Sequence, residues 1–294
     1  MRASVQFDAS VLFDASVLFD APGPQARRLS RIISIVATLL VLVAVAAIIL
    51  TLAAPRQSSG ITLPGSFDKS RWNIFADPRL WRDIGAGTLR TLQAAGVAAA
   101  LALVVGLTFA TLRTNKFLWV RAPAAVVLEF VRGMPVLLLM LFILLAGSMD
   151  AFWAVVIALA LYNGAIIGEA LRAGLVSLPR GQREAGLSIG LTPFQTRVYI
   201  ELPQAFRQML PIILAQLIVL LKDTSLGFIV GYSELIRTTM NYMSSFYGNR
   251  YLLSLFLVTL TIYLIINLSL SALARRFTRR SGRSPKARIP VVPG

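Results

Sequence analysis

The chain has 294 residues, 56% of them apolar, and carries a formal charge of +16 with no Cys and no His. Lacking thiol and imidazole, it has no cysteine nucleophile, no thiolate or imidazole metal site and no histidine acid/base group. Several apolar runs reach the roughly 20 residues needed to cross a hydrocarbon core, so the basic residues, which sit in short connections and a tail, are assigned to lipid head groups and not to nucleic acid.

Residues 4–21 contain one six-residue unit three times, SVQFDA, SVLFDA, SVLFDA. It is too short to stack as a solenoid and is expected to form a tail, 1–31, with at most a short amphipathic surface segment. Arg27, Arg28 and Arg31 then precede an apolar run over 32–54, longer than a signal-peptide core, which predicts a retained anchor helix. Further runs at 84–112, 122–147, 151–171, 207–231 and 251–274 complete six candidate spans, and a basic tail follows at 276–294. The expected fold is all-α, a polytopic transmembrane helical bundle in which the 294 residues form one integral domain.

Lys and Arg near span ends resist translocation. With the N-terminus inside, nineteen of the 29 basic residues fall in cytoplasmic segments and seven outside. This places both termini and the 172–207 connection in the cytoplasm.

That connection is a polar island with its own helix signals. Ser177 is expected to cap a short helix with Pro179 in its first turn, and Gly190 to end it. Thr192, Pro193 and Gln195 then spell a capping box, and Pro203 is expected to end the second helix at Leu202. Phe194 and Val198, four apart, are expected to hold this second helix against the rest of the chain. The prediction is helix, hinge, helix: an elbow able to transmit force, or an ordinary linker.

Ionisable residues inside spans cost a few kcal/mol each on insertion scales, ~2.5–3.5 at a helix centre, and are functional candidates by default. Glu129 and Arg132, at i and i+3 beside the Gly133-x-Pro135 break, suit either a pore-lining gate or a structural ion pair. Glu169 and Arg172 repeat the spacing near a span end, where snorkelling is possible. Lys222 and Asp223 are adjacent and therefore about 100° apart on a helix, so one can face a pathway while the other anchors a helix contact. Gly96 and Gly106 suggest close helix packing. Trp72, Trp81, Trp119 and Trp153 suggest interfacial anchors.

One pattern within the connection is specific: Glu184-Ala185-Gly186, three residues, Gly190, nine residues, Ile200, one residue, Leu202-Pro203. It resembles the EAA signature of the permease subunits of ATP-binding-cassette importers, with Gly186 where Ala is usual, a change expected mainly to loosen the helix by roughly 1 kcal/mol. Glu129 to Pro135 (EFVRGMP), Gly168 to Arg172 (GEALR), Gly181-Gln182 and Lys222 to Leu226 (KDTSL) are similar to the polar-amino-acid branch of those permeases. The likeness covers about 84–275, so the helix at 32–54 is an addition to a five-helix core. The segment Val17 to Pro24 with Arg27 and Arg28 is also similar to the start of actinobacterial glutamate permeases.

The resemblance implies a transport subunit forming half of a translocation pathway for a polar amino acid, glutamate first. It implies coupling to an ATPase through Gly181, Glu184, Ala185, Gly186, Gly190, Leu202 and Pro203. Glu129, Arg132, Glu169, Lys222, Asp223, Thr224 and Ser225 are the candidate pathway residues. Expected partners are an ATPase dimer, a second permease of the same or a homologous kind, an extracytoplasmic solute-binding protein, the amino acid and membrane lipid. No Walker-type phosphate loop is present, so the chain is expected to be non-catalytic and to bind no cofactor, ATP and Mg being used by the partner. The alternative is a stand-alone secondary transporter or channel, which would need inverted repeats or a coupling-ion site.

Overall fold

The structure is a computed structural model that describes residues 23–58 and 61–281. The six-residue repeat lies outside the described residues, as does the tail beyond Ser281. The chain divides into two units, 1–70 and 71–294.

In the first unit α1 runs from Pro24 to Ala53, with Pro24 at its start and a run of branched apolar residues behind it. Its apolar side chains, Leu39, Leu40, Val43 and Leu50 among them, are exposed, as expected of a helix whose solvent is lipid. A helix thus covers the run read as an anchor in the sequence and begins eight residues earlier. A short antiparallel hairpin follows, β1 (Arg56–Ser58) with β2 (Ile61–Leu63), pairing Arg56 with Leu63. Gly65 is needed behind it, because a Cβ there would come within 1.9 Å of the Ala53 carbonyl oxygen.

The second unit is the helical bundle. Helix α2 (Pro78–Arg113) starts where the Asp77 carboxylate accepts from the Arg79 N–H at 2.9 Å with Pro78 in the first turn. It buries one stripe, Leu80, Ile84, Gly87, Thr91, Ala94, Ala98, Ala102, Gly106 and Ala110. The stripe is built of small residues so that backbones can approach, the packing mode available where lipid removes any hydrophobic drive between helices. Helix α5 (Ala151–Ser177), capped by Asp150 accepting from the Trp153 N–H at 2.9 Å, fits against it and is the most buried of the long helices. A Cβ on Gly106 would meet Ile167 Cγ2 at 2.7 Å, and one on Gly168 would meet the Gly106 carbonyl at 3.0 Å. Gly96 has open space around its Cβ position, so the close-packing reading holds for Gly106 and fails for Gly96.

The run predicted as one span at 122–147 is two helices, α3 (Leu118–Gly133) and α4 (Val136–Gly147), bent by 105° at the break. Pro135 lacks an N–H and drives Met134 into extended backbone at φ −87°, ψ 132°, which ends α3 and lets α4 restart in a new direction. Helix α5 continues to Ser177, six residues past the expected end. Helices α6 (Arg180–Ser188) and α7 (Pro193–Thr196), a π-helical turn (Arg197–Glu201) and α8 (Leu202–Asp223) follow. A 3-10 turn (Thr224–Phe228) closes α8, and α9 (Leu235–Arg237), a second π turn (Thr238–Met243) and α10 (Ser244–Tyr247) form a folded-back segment. The final helix α11 spans Leu252–Ser281.

Among the described residues five helices are long and apolar enough to cross a membrane, or six spans if the bent pair counts as one. A polar link joins α5 and α8: half-buried Gln216 donates to Oδ1 of buried Asn163 at 2.7 Å, and Asn163 donates to the Leu159 carbonyl at 2.8 Å. Pairing the Asn163 amide as both donor and acceptor offsets the cost of burying it inside the bundle.

Candidate functional site

The elbow is built from α6, α7 and the head of α8. Pro179 occupies the N-cap position of α6, while the Ser177 hydroxyl donates to the Gly174 carbonyl at 2.8 Å and caps nothing. Ser177 is still helical at the end of α5, so its side chain bonds back along its own helix. Gly190 ends α6 with φ +87°, and the Leu191 N–H reaches the Gly186 carbonyl at 3.2 Å, the left-handed exit that favours glycine. The capping box forms as expected, with Gln195 N–H to Thr192 Oγ1 at 3.2 Å and Thr192 N–H to Gln195 Oε1 at 2.9 Å.

The end of the second helix differs from expectation. Pro203 does not stop it: the helical path runs unbroken from Pro193 to Phe228. The π turn just upstream, with the Leu202 N–H bonded to the Arg197 carbonyl, widens the helix by one residue and admits the proline ring without the usual clash. The elbow is therefore one hinge at Gly190 followed by a continuous shaft into the bundle. Phe194 also departs from expectation, being 67% exposed. Gly186, which is buried, packs α6 on the shaft against fully buried Thr196 and against Ile200, and Gln204 of the shaft donates to Gln182 Oε1 at 3.2 Å; a Cβ on Gly186 would meet Thr196 Cγ2 at 2.6 Å and Ile200 Cδ1 at 2.9 Å. The glycine is thus a packing requirement and not mainly a loosening of the helix. The outer face of the elbow presents Gly181, Glu184, Ala185, Leu187, Ile189, Phe194 and Tyr199 to solvent; Leu202 is half-buried at the root of the shaft and Pro203 is exposed.

The proposed pathway residues separate into two groups. Glu129 and Arg132 pair at 3.3 Å and Glu169 and Arg172 at 2.6 Å, and Arg113 at the end of α2 joins them, 3.5 Å from both Glu129 and Glu169. Arg113 carries no motif, and only its position at the end of an apolar run could have signalled it.

The second group lies along an open groove of 530 Å³ between α8 and α11, lined by Lys222, Ser225, Met240, Thr259, Tyr263 and Asn267 among others. Asp223 and Thr224 do not line it: Thr224 is buried and donates to the Leu221 carbonyl at 2.6 Å. Lys222 thus faces the groove and its neighbour does not, as adjacent helical positions require.

Sequence reasoning missed Glu234. It is fully buried behind the groove, where its carboxylate accepts from the N–H groups of Ile236 and Arg237 and from the Tyr263 hydroxyl, each at 2.8 Å. Burial raises its pKa, against the opposing pull of the two backbone donors. Four acceptances of this kind around one carboxylate would be the limit of its capacity, and three are filled. Placed just before a short helix, Glu234 has an N-capping position, and that was the one available signal.

A family described as "Binding-protein-dependent transport system inner membrane component" matches residues 102–283. The chain belongs to this family. The glutamate transport system permease protein GluD of Corynebacterium glutamicum is 38% identical to it over 240 residues, which cover 78% of this chain and 87% of that one. The probable glutamine ABC transporter permease protein GlnP of Bacillus subtilis is 36% identical over 199 residues, 66% of this chain and 91% of the other. Among solved structures, the crystal structure of an amino acid ABC transporter with histidines superposes with a TM-score of 0.60 at 28% identity, covering 69% of this chain and 95% of that one. An inward-facing methionine transporter, MetNI, shares the fold with a TM-score of 0.58 at 18% identity, covering 70% of this chain and all of the other. As a binding-protein-dependent permease, the chain has its matched region from the last third of α2 through the elbow to α11, while α1 lies outside it.

Proposed function

We propose that this chain is the membrane-spanning subunit of an ATP-driven importer of a polar amino acid, glutamate first, with both termini in the cytoplasm. The observation that carries the reading is the elbow: an exposed α6 bearing Glu184 and Ala185, packed through Gly186 onto a helix that runs unbroken into the groove-lining span. Closure of an ATPase dimer against α6 would push on this shaft and rock α8, the element that carries Lys222, between inward- and outward-facing states. Gly181, Glu184, Ala185, Gly186 and Gly190 shape the docking helix and its exit, while Leu202 and Pro203 root the shaft. ATP and Mg belong to the partner, and a solute-binding protein delivers substrate from outside.

The groove is open along one side and mostly apolar with a few polar groups, which suits half of a pathway completed by a second permease, the same or homologous. Lys222 supplies positive charge for a substrate carboxylate, with Ser225 and Asn267 as neutral hydrogen-bonding groups. Glu129, Arg132 and Glu169, tied to Arg113 and Arg172, form a charged latch joining α2, α3 and α5. The similarity to permeases named for glutamate and glutamine supports the substrate class.

The test is uptake of labelled glutamate by proteoliposomes containing this chain with its ATPase and binding protein. ATP-dependent accumulation is expected, and Lys222→Met should lower it about tenfold, the loss of ~1.4 kcal/mol of substrate interaction, without changing ATPase docking. Flux that is equal with and without ATP would move the chain to the stand-alone transporters; equal loss of uptake and docking in the variant would make Lys222 a folding residue.

A further inference from the structure

A cavity of 560 Å³ opens beside the elbow, away from the groove, and arginines dominate its lining: Arg113, Arg121, Arg172, Arg183 and Arg197, with Glu201 as the one carboxylate. Three of these arginines share carboxylates, Arg113 with Glu129 and Glu169, Arg172 with Glu169, and Arg197 with Glu201 at 3.7 Å. The guanidinium groups of Arg121 and Arg183 have no hydrogen bond or ion pair among the described residues. One further N–H group, Nε of Arg113, is buried without an acceptor, and Nε of Arg197 has only the Glu201 carboxylate at 3.7 Å, beyond hydrogen-bonding distance. Buried donors of this kind are rare and call for a partner that supplies oxygen, and the excess of guanidinium makes that partner an anion.

The rest of the lining narrows the choice. Ala122, Ala125, Leu175 and Val176 form an apolar side to the cavity, and Val176 is 68% exposed. Just before Arg121, Phe117, Leu118 and Trp119 are exposed, the amphipathic edge expected where a helix leaves the hydrocarbon for the head groups. A free phosphate would leave this apolar side unused. We propose that the cavity holds the phosphate of an anionic phospholipid, with its glycerol and the start of its chains lying along Ala122, Ala125, Leu175 and Val176. Because Arg183 belongs to α6 and Arg197 to the π turn, the bound phosphate bridges both arms of the elbow to the ends of α2 and α5. The lipid is thereby a brace on the element that moves, and its binding can be read without any transport assay.

The test is thermal unfolding of the purified full-length chain in neutral detergent, titrated with phosphatidylglycerol, with phosphatidylcholine, or with inorganic phosphate. Phosphatidylglycerol is expected to raise the melting temperature while the other two do not. In Arg121→Gln/Arg183→Gln the half-saturating phosphatidylglycerol concentration should rise about 30-fold, from two lost basic contacts. Arg121→Lys/Arg183→Lys should retain most of the response, and Arg275→Gln/Arg276→Gln, which removes equal charge from α11, should retain all of it. Equal stabilisation by inorganic phosphate would overturn the lipid assignment, and an unchanged response in the Gln pair would overturn the site.

Discussion

Gly186 shows how a single position can reverse its meaning between sequence and structure. Read as sequence, glycine in a helix costs roughly 1 kcal/mol relative to alanine. In the fold its missing Cβ is where Thr196 and Ile200 sit, and Thr196 is fully buried and has nowhere to go. Gly186→Ala is therefore expected to destabilise the protein by about 1–2 kcal/mol net, overpacking outweighing the gain in helix propensity, as a lowered melting temperature in detergent would record. Asp77 supplies a pH test. The Tyr247 hydroxyl donates to Asp77 Oδ2 at 2.7 Å and, with the Arg79 N–H, holds the carboxyl below its ordinary value of 3.8, while Tyr247 is pushed up to about 12. A depressed carboxyl contributes stability that is present above its unfolded value and lost as pH falls through the folded one. Tyr247→Phe should thus flatten the decline in melting temperature below about pH 4, the ordinary carboxylate range. Glu234, whose pKa is raised from 4.5 by burial, has the opposite sign: its charged form costs stability as pH rises above 4.5, so the two limbs do not overlap.

The elbow was legible where chemistry is local. The capping box at Thr192 and the exit at Gly190 rest on side-chain and backbone preferences within four residues, and both are present. Where the outcome depended on neighbours, sequence rules misled: Pro203 reads as a stop, yet a π turn accommodates it, and Ser177 reads as a cap while still inside α5. The bend between α3 and α4 has the same origin, since Gly133-x-Pro135 signals a break but not whether the chain resumes straight. A continuous shaft makes a strong prediction about Glu184, which is exposed on α6. Glu184→Lys reverses one charge on the docking face without touching a packed contact, so the protein should insert and fold normally. ATP-driven uptake should nevertheless fall by about tenfold or more, for ~1.4 kcal/mol or more of lost docking, measured in the reconstituted complex. Normal uptake by that variant would remove Glu184 from the coupling surface.

The overall plan was largely readable because a bilayer leaves the backbone so few options. Six apolar runs marked the helices, and of the two glycines read as close-packing positions in α2, Gly106 meets α5 while Gly96 faces open space. The sites were less readable. Lys222 and Ser225 share a groove while Glu129, Arg132 and Glu169 belong to a separate cluster organised by Arg113, a division that depends on how helices distant in sequence cross. Glu234 stayed hidden because a buried carboxylate with three donors looks, in sequence, like any loop acid. The reading of the protein as an importer subunit stands or falls on what α6 touches. The chain has no Cys, so Ala185→Cys places a single reactive thiol on the exposed face of α6. Cross-linking in native membranes followed by mass spectrometry should capture a cytoplasmic ATPase carrying a Walker motif; efficient labelling of the thiol with no ATPase captured would contradict coupling through this elbow.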